Sequence, residues 1–132
     1  MLFREILKFD TEKNEVKDIT LDVKNIIKRS RIKEGICNVF FTGTTGGLII
    51  NEDERMIFED AKKIFERLIP SNTLYMHTSN SFSHTRAMLM DCEKTIPVSN
   101  NALILGKWQA ILFAEMDVNG RNREIIVTIS GD

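Results

Sequence analysis

From Lys94 to the C-terminus the chain carries no helical period. It reads instead as apolar and β-branched runs, "KTIPV", "ALILG", "WQAILFAEMD" and "EIIVTIS", separated by Asn100–Asn101 and by a turn holding Asn119 and Gly120. Runs of this kind punctuated by Asn and Gly predict successive antiparallel strands, and the Asn-Gly pair predicts a hairpin, because both residues tolerate positive φ. Trp108 would open the long third strand as core or subunit interface, with Gln109 facing the opposite side.

The first part of the chain adds helices to this sheet. "LFREILKF" reads as a strand followed by a turn near Thr11 to Asn14. Val23, Ile26 and Ile27 then form one helical stripe from about Thr20, ending at Glu34 and Gly35. "ICNVFF" and "GLIIN" read as buried strands on either side of a glycine-rich loop. A second helix has Ile57, Ala61, Ile64 and Leu68 on one face, widened by Phe58 and Phe65. Glu52, Asp53 and Glu54 suit its positive end, and Pro70 closes it. "TLYMH" predicts a short strand, and Thr85 to Met90 a short helix. The expected class is α+β, with about two main helices on mainly antiparallel sheets.

At 132 residues the chain fits one domain, residues 1–132, with room for a real core. A net charge of -1 argues against a general nucleic-acid or membrane-surface role. The local basic cluster of Lys28, Arg29, Arg31 and Lys33 has no interleaved aromatics and reads as a solvated helix end. No apolar run approaches the roughly 20 residues of a membrane span, and no secretory leader is recognisable. Cys37 and Cys92 share no metal or redox spacing, so two reduced, packed thiols in a cytoplasmic protein are expected.

The loop "TGTTGG" admits two readings. Gly43, Gly46 and Gly47 would let backbone N–H groups converge on an anion, with hydroxyls from Thr44 and Thr45. Alternatively it turns the chain between paired strands. It is not a Walker loop, since no Lys-Ser/Thr pair follows and the next element reads as a strand.

The ordered blocks "GICNVFFTGTTGGLIINEDE", "LYMHTSNSFSHTRAMLM", "TIPVSNNALILGKWQAILFAEMD" and "REIIVTISGD" resemble the YjbQ-type family, whose members are often labelled secondary thiamine-phosphate synthases. The likeness runs from about Gly35 to the C-terminus, and "LGKWQAI" is its most specific block. The resemblance implies a compact α+β homotrimer with polar residues gathered in a pocket near the subunit boundary. It also implies a weak activity joining hydroxymethylpyrimidine diphosphate to a thiazole phosphate.

The chain departs from the family pattern at positions that bear on chemistry. The family's His-Thr-Thr-Ala becomes Gly43, Thr44, Thr45 and Gly46, so no side chain there transfers a proton. Of an Asn-Ala-His-Ala-His block, Asn80, Ser81, Phe82, Ser83 and His84 keep only the final histidine. Arg55 stands where a second acid would sit.

The resemblance and the residue types together point to His84 as the catalytic candidate. Thr44, Thr45, Gly46, Asn80, Gln109 and Glu115 are the substrate-binding candidates. Arg86 suits a phosphate or an ion pair. His77, sharing a strand face with Tyr75, reads as a half-buried ring. With two histidines in the chain, a preformed zinc site is not expected. Mg2+ arriving on a diphosphate asks only for one or two carboxylates, for which Asp53 and Glu115 are candidates. Two functions compete. One is a divergent transferase acting on a phosphorylated small molecule. The other is a non-catalytic trimeric binding or assembly protein that has lost part of the site. A metal-dependent hydrolase is weaker on ligand count.

Overall fold

The computed structural model describes residues 1–77 and 79–132. Among these residues, eight strands and three helices follow in the order β1 (Leu2–Asp10), β2 (Val16–Asp18), α1 (Thr20–Ser30), β3 (Gly35–Phe41), β4 (Gly46–Asn51), α2 (Arg55–Leu68), α3 (Ser81–Ala87), β5 (Glu93–Ser99), β6 (Ala102–Leu103), β7 (Ala110–Glu115) and β8 (Asn122–Gly131). They form two antiparallel sheets, one of five strands in the order β1-β8-β3-β5-β6 and one of three in the order β2-β7-β4. The α+β class therefore stands, and the short helix expected at Thr85 to Met90 lies earlier, at Ser81–Ala87.

Period-two alternation explains how the sheets meet. On β8, Arg123, Ile125, Val127 and Ile129 point inward, opposite Phe9, Leu7 and Phe3 of β1 and Phe41, Val39 and Cys37 of β3. From the smaller sheet, Leu48, Ile111 and Phe113 join the same core, together with Val23, Ile26 and Ile27 of α1. Phe113 stacks edge-on against Phe41 and Phe9, at centroid distances of 4.7 and 5.6 Å. β7 is buried along its whole length. One face of it meets this core, and the other meets α2. Burial pushes the Cys37 thiol up to about 12.

Several expected elements take other forms. "TLYMH" is not a strand: residues 73–77 run as bends, with Leu74 and Met76 fully exposed and His77 on the surface. Only Ala102–Leu103 of "ALILG" pairs, and β7 starts at Ala110 rather than at Trp108. Trp108 lies in a turn, 65% exposed. The Asn119–Gly120 segment is not a hairpin, because β7 and β8 belong to different sheets and neither residue has positive φ. Gly is required there by close approach: a Cβ on Gly120 would stand 1.9 Å from the Thr11 carbonyl oxygen. The loop before β4 likewise crosses between sheets instead of joining paired strands. β2 had no sequence signal. Cys92 is exposed rather than packed.

The positive-φ hairpin is the one at Asn100 and Asn101, with φ of 52° and 59°. Asn101 also closes α1. Its Nδ2 donates to the carbonyls of Ile27 at 2.9 Å and Ile32 at 2.6 Å, at the helix end where Arg31 turns left-handed. Asn101→Ala removes both bonds and places a Cβ-bearing residue without a polar side chain at positive φ. It should cost about 2–3 kcal/mol, read from the urea midpoint. Asn101→Gly, which relieves the backbone, should cost less.

Candidate functional site

Two charged residues occupy inward positions of otherwise apolar strand faces. Arg123 has the parity of Ile125, Val127 and Ile129, and Glu115 that of Ile111 and Phe113. Glu115 is fully buried and Arg123 is 5% exposed. The pair is bidentate: Nε of Arg123 donates to Oε1 at 2.7 Å, and Nη2 donates to Oε2. Thr11 Oγ1 donates to Oε1 at 2.6 Å, and the Asp117 N–H to Oε2 at 3.0 Å. The guanidinium lies over the rings of Phe41 and Phe113, at 5.2 and 5.6 Å. Burial opposes the charged form of Glu115. The Arg123, Thr11 and Asp117 donors outweigh it and hold the carboxyl below its ordinary value.

This pair anchors the glycine loop. Arg123 Nη2 donates to Thr45 Oγ1 at 2.9 Å and to the Thr45 carbonyl at 3.2 Å. Thr45 Oγ1 donates in turn to Asp117 Oδ2 at 3.3 Å, which also meets Arg121 Nε at 3.2 Å. Asp117 Oδ1 accepts from Asn80 Nδ2 at 3.3 Å. Asn80 Oδ1 lies 3.0 Å from His77 Nε2, and the His77 ring packs edge-on against His84 at 5.1 Å. A chain of polar groups thus runs from the middle of the fold to His84. Burial raises the pKa of Asp117, but Val118 N–H, Asn80, Arg121 and Thr45 bring it below the ordinary range.

The network ends beside an open cleft of about 410 Å³, lined by Gly43, Thr44, Gly46, His84, Asp91 and Cys92, with Met90 among its apolar walls. Among the described residues, the N–H groups of Gly43, Thr44 and Thr45 have no hydrogen-bond acceptor. The cleft therefore offers backbone donors, the exposed Thr44 side chain and an imidazole that donates or accepts according to its tautomer. A wider depression of about 580 Å³ flanks the other side of the network, at Asp10, Thr11, Arg121 and Asn122. There Asn122 already donates to Asp10.

The structure divides the expected site residues into three groups. Thr44, Gly46 and His84 line the cleft. Thr45 and Glu115 are buried in the network, and Asn80 bridges the network to the histidines. Gln109 stands apart: it is exposed, its Oε1 accepts from the Gly106 N–H at 2.8 Å, and it borders a depression with Asp18, Thr20 and Lys24. Arg86 is buried, with bonds to the Ile69 carbonyl and to Glu66 at 2.8 Å, so it fastens α3 to the end of α2. Asp53 sits against Asp18. Burial first, and then the Asp18 carboxylate, raise its pKa.

Among the described residues no three His, Cys, Asp or Glu side chains are grouped to hold a metal. Both oxygens of Glu115 are occupied, so it cannot serve Mg2+. Sequence reasoning missed Asp91 and Cys92, which have no motif, and Arg123 and Asp117. Arg123 had a usable signal, because it is the one charge at an inward position of "REIIVTIS".

Glu115→Gln leaves the Arg123 charge buried without its anion. It should cost about 3–5 kcal/mol in urea unfolding, whereas Glu115→Leu with Arg123→Met should cost less than the single change. The pH dependence follows from the lowered carboxyls of Glu115 and Asp117. Their stabilisation is complete above the ordinary values of 4.5 and 3.8 and is lost as pH falls through the lower folded values. Urea midpoints should therefore fall between pH 6 and pH 3, and less steeply in Glu115→Gln.

The comparisons agree on one family. The model for the family described as UPF0047 protein YjbQ-like matches residues 5–132. A UPF0047 protein of Methanothermobacter thermautotrophicus is 39% identical over 120 residues, covering 89% of this chain and 83% of that protein. A UPF0047 protein of Methanocaldococcus jannaschii is 36% identical, covering 100% and 96%. Among solved structures, a YbjQ-like protein of unknown function from Sulfolobus solfataricus superposes with a TM-score of 0.90 at 28% identity, covering 100% of both chains. An uncharacterised YjbQ/UPF0047 protein from Clostridium acetobutylicum gives 0.85 at 31% identity, covering 94% and 99%. With the family model spanning nearly the whole chain and the fold shared from end to end, this chain belongs to the YjbQ-like UPF0047 family.

Proposed function

We propose that this protein binds a phosphorylated small molecule in the cleft between the glycine loop and α3, and carries a weak transferase activity of the thiamine-phosphate-synthase type. The observation that carries this reading is the pair of N–H groups at Gly43 and Thr44 without acceptors among the described residues, in a cleft lining shared with the Thr44 side chain and His84. Backbone donors fixed by a buried ion pair suit a phosphate, because they need little reorganisation on binding.

In such a transfer the loop holds a phosphate and His84 donates a hydrogen bond or a proton. The remaining contribution is holding two substrates in line, which demands little of a base. Mg2+ arriving on the diphosphate would neutralise charge on the departing pyrophosphate, and Asp91 is the carboxylate in the cleft lining that could meet it. The resemblance to the family supports the same reading and extends it to a homotrimer. The outer face of the larger sheet presents Leu2, Ile6, Ile36 and Phe40 to solvent, which suits a covered subunit surface.

A second reading has its own observation. Thr45 and Glu115 are both used inside the protein, and Gly43 replaces the family's histidine. A trimeric binding or assembly protein without catalysis would look the same at these positions.

The two readings separate in one assay. The protein is incubated with hydroxymethylpyrimidine diphosphate, thiazole phosphate and Mg2+, and thiamine phosphate is measured. The transferase reading predicts product, reduced at least about 100-fold in His84→Ala if His84 acts as an acid. No product at high protein concentration rejects the transferase. Pyrophosphate binding that survives in both proteins would then favour the non-catalytic reading. Sedimentation equilibrium should give three chains per particle, and a monomer would reject the assembly.

A further inference from the structure

Helix α2 has a continuous apolar stripe, yet none of its residues is fully buried. Ile57, Ile64 and Leu68 of that stripe are exposed, and Phe58, Ala61 and Phe65 are the residues that look toward the smaller sheet. Glu54 caps the first turn, accepting from the N–H groups of Met56 at 2.5 Å and Ile57 at 3.0 Å. At the other end Arg86 holds the Ile69 carbonyl, Glu66 holds Ser71, and the Tyr75 hydroxyl donates to the Pro70 carbonyl. The middle of the helix stands off the outer face of the smaller sheet. Beneath it lies a cavity of about 270 Å³, distinct from the phosphate cleft.

Its walls are Phe58, Ala61 and Phe65 from α2, and Val16, Ile49, Ala114 and Met116 from the sheet side. Leu89 and Met90 close one end. Three polar residues complete the lining, Asn14, Lys62 and Arg86, and none of the lining residues is acidic. An apolar cavity of about 150 Å³ is enough to bind benzene, and ligand pockets begin near 300 Å³, so the space suits a short chain or a single ring.

We propose that this cavity binds a small amphiphilic carboxylate, with its apolar body between α2 and the sheet and its carboxylate on Lys62. Arg86 is committed to Glu66 and the Ile69 carbonyl. Lys62 is tied only to Glu59, at 3.2 Å on the same helix, with side-chain exposures of 41% and 52%. An exposed pair of that kind contributes little, so exchanging it for a ligand carboxylate costs little. The alanines at positions 61 and 114 leave the space open, and larger residues there would fill it.

Octanoate and 1-octanol are the probes, titrated into the full chain with methyl NMR on its methionines, alanines and leucines. Octanoate should produce saturable shifts at Met90, Met116, Ala61 and Ala114, and none at Leu2 on the far sheet face. Lys62→Met should weaken octanoate by about tenfold, the equivalent of one charge-assisted bond, and leave octanol unchanged. Ala61→Phe should abolish binding of both probes, with a Tm at or above that of the parent protein. If the phenylalanine does not fold, Ala61→Leu should weaken both probes. Three results would overturn the proposal: no saturable shift with octanoate, shifts that persist in the filled variant, or equal weakening of both probes by Lys62→Met.

Discussion

The Glu115–Arg123 pair is the interaction on which the arrangement of this protein depends. The two residues come from different sheets, and their side chains meet in the core, where water cannot serve either charge. A buried pair of this kind need not stabilise the fold relative to apolar residues of the same volume. In the observed fold the pair joins β7 of one sheet to β8 of the other. Thr11, Asp117 and Thr45 use the remaining hydrogen-bonding capacity, so the loops after β1, β3 and β7 are fixed to one point. The glycine loop is anchored at that point through Thr45, and Gly43, Thr44 and Gly46 line the cleft beside it.

β7 carries the other constraint. Its residues are buried on both faces, and a strand in that position reads as an unbroken apolar run instead of an alternation. Inward, Ile111, Phe113 and Glu115 meet the larger sheet and α1. Outward, Ala114 lies under α2. Small side chains at Ala61 and Ala114 leave the gap between α2 and the strand unfilled, and Arg86 ties the end of α2 to α3.

The elements with strong local periodicity were legible in the sequence. α1 follows its stripe, α2 forms over the expected residues although Ile57, Ile64 and Leu68 of its stripe are exposed, and β1, β3, β4, β5 and β8 follow alternation or apolar runs close to their observed bounds. Errors arose where pairing, which is non-local, decides the outcome. The Asn119–Gly120 turn has hairpin composition, but its two strands join different sheets. "TLYMH" has strand composition and no partner. β2 is three residues held by β7, too short for any period. The same limit applies to the site. Thr44 and His84 could be placed together from the family pattern. Whether Thr45 and Glu115 face a ligand or each other's neighbours depends on Arg123, eight residues along the chain from Glu115 but in the other sheet.

The cleft presents glycine-loop backbone and the His84 imidazole, and position 43 brings no titratable group to it. Glycine at position 43 removes a side chain while leaving the backbone donor, and its room is limited: a Cβ there would approach the Phe41 ring within 2.4 Å. A histidine at this position would therefore require Phe41 to move, and Phe41 is packed on Phe113 and on the Arg123 guanidinium. The bare backbone at position 43 and the packing of the core are thus linked through one ring. Met90 makes a second link, since it walls both the cleft and the cavity under α2.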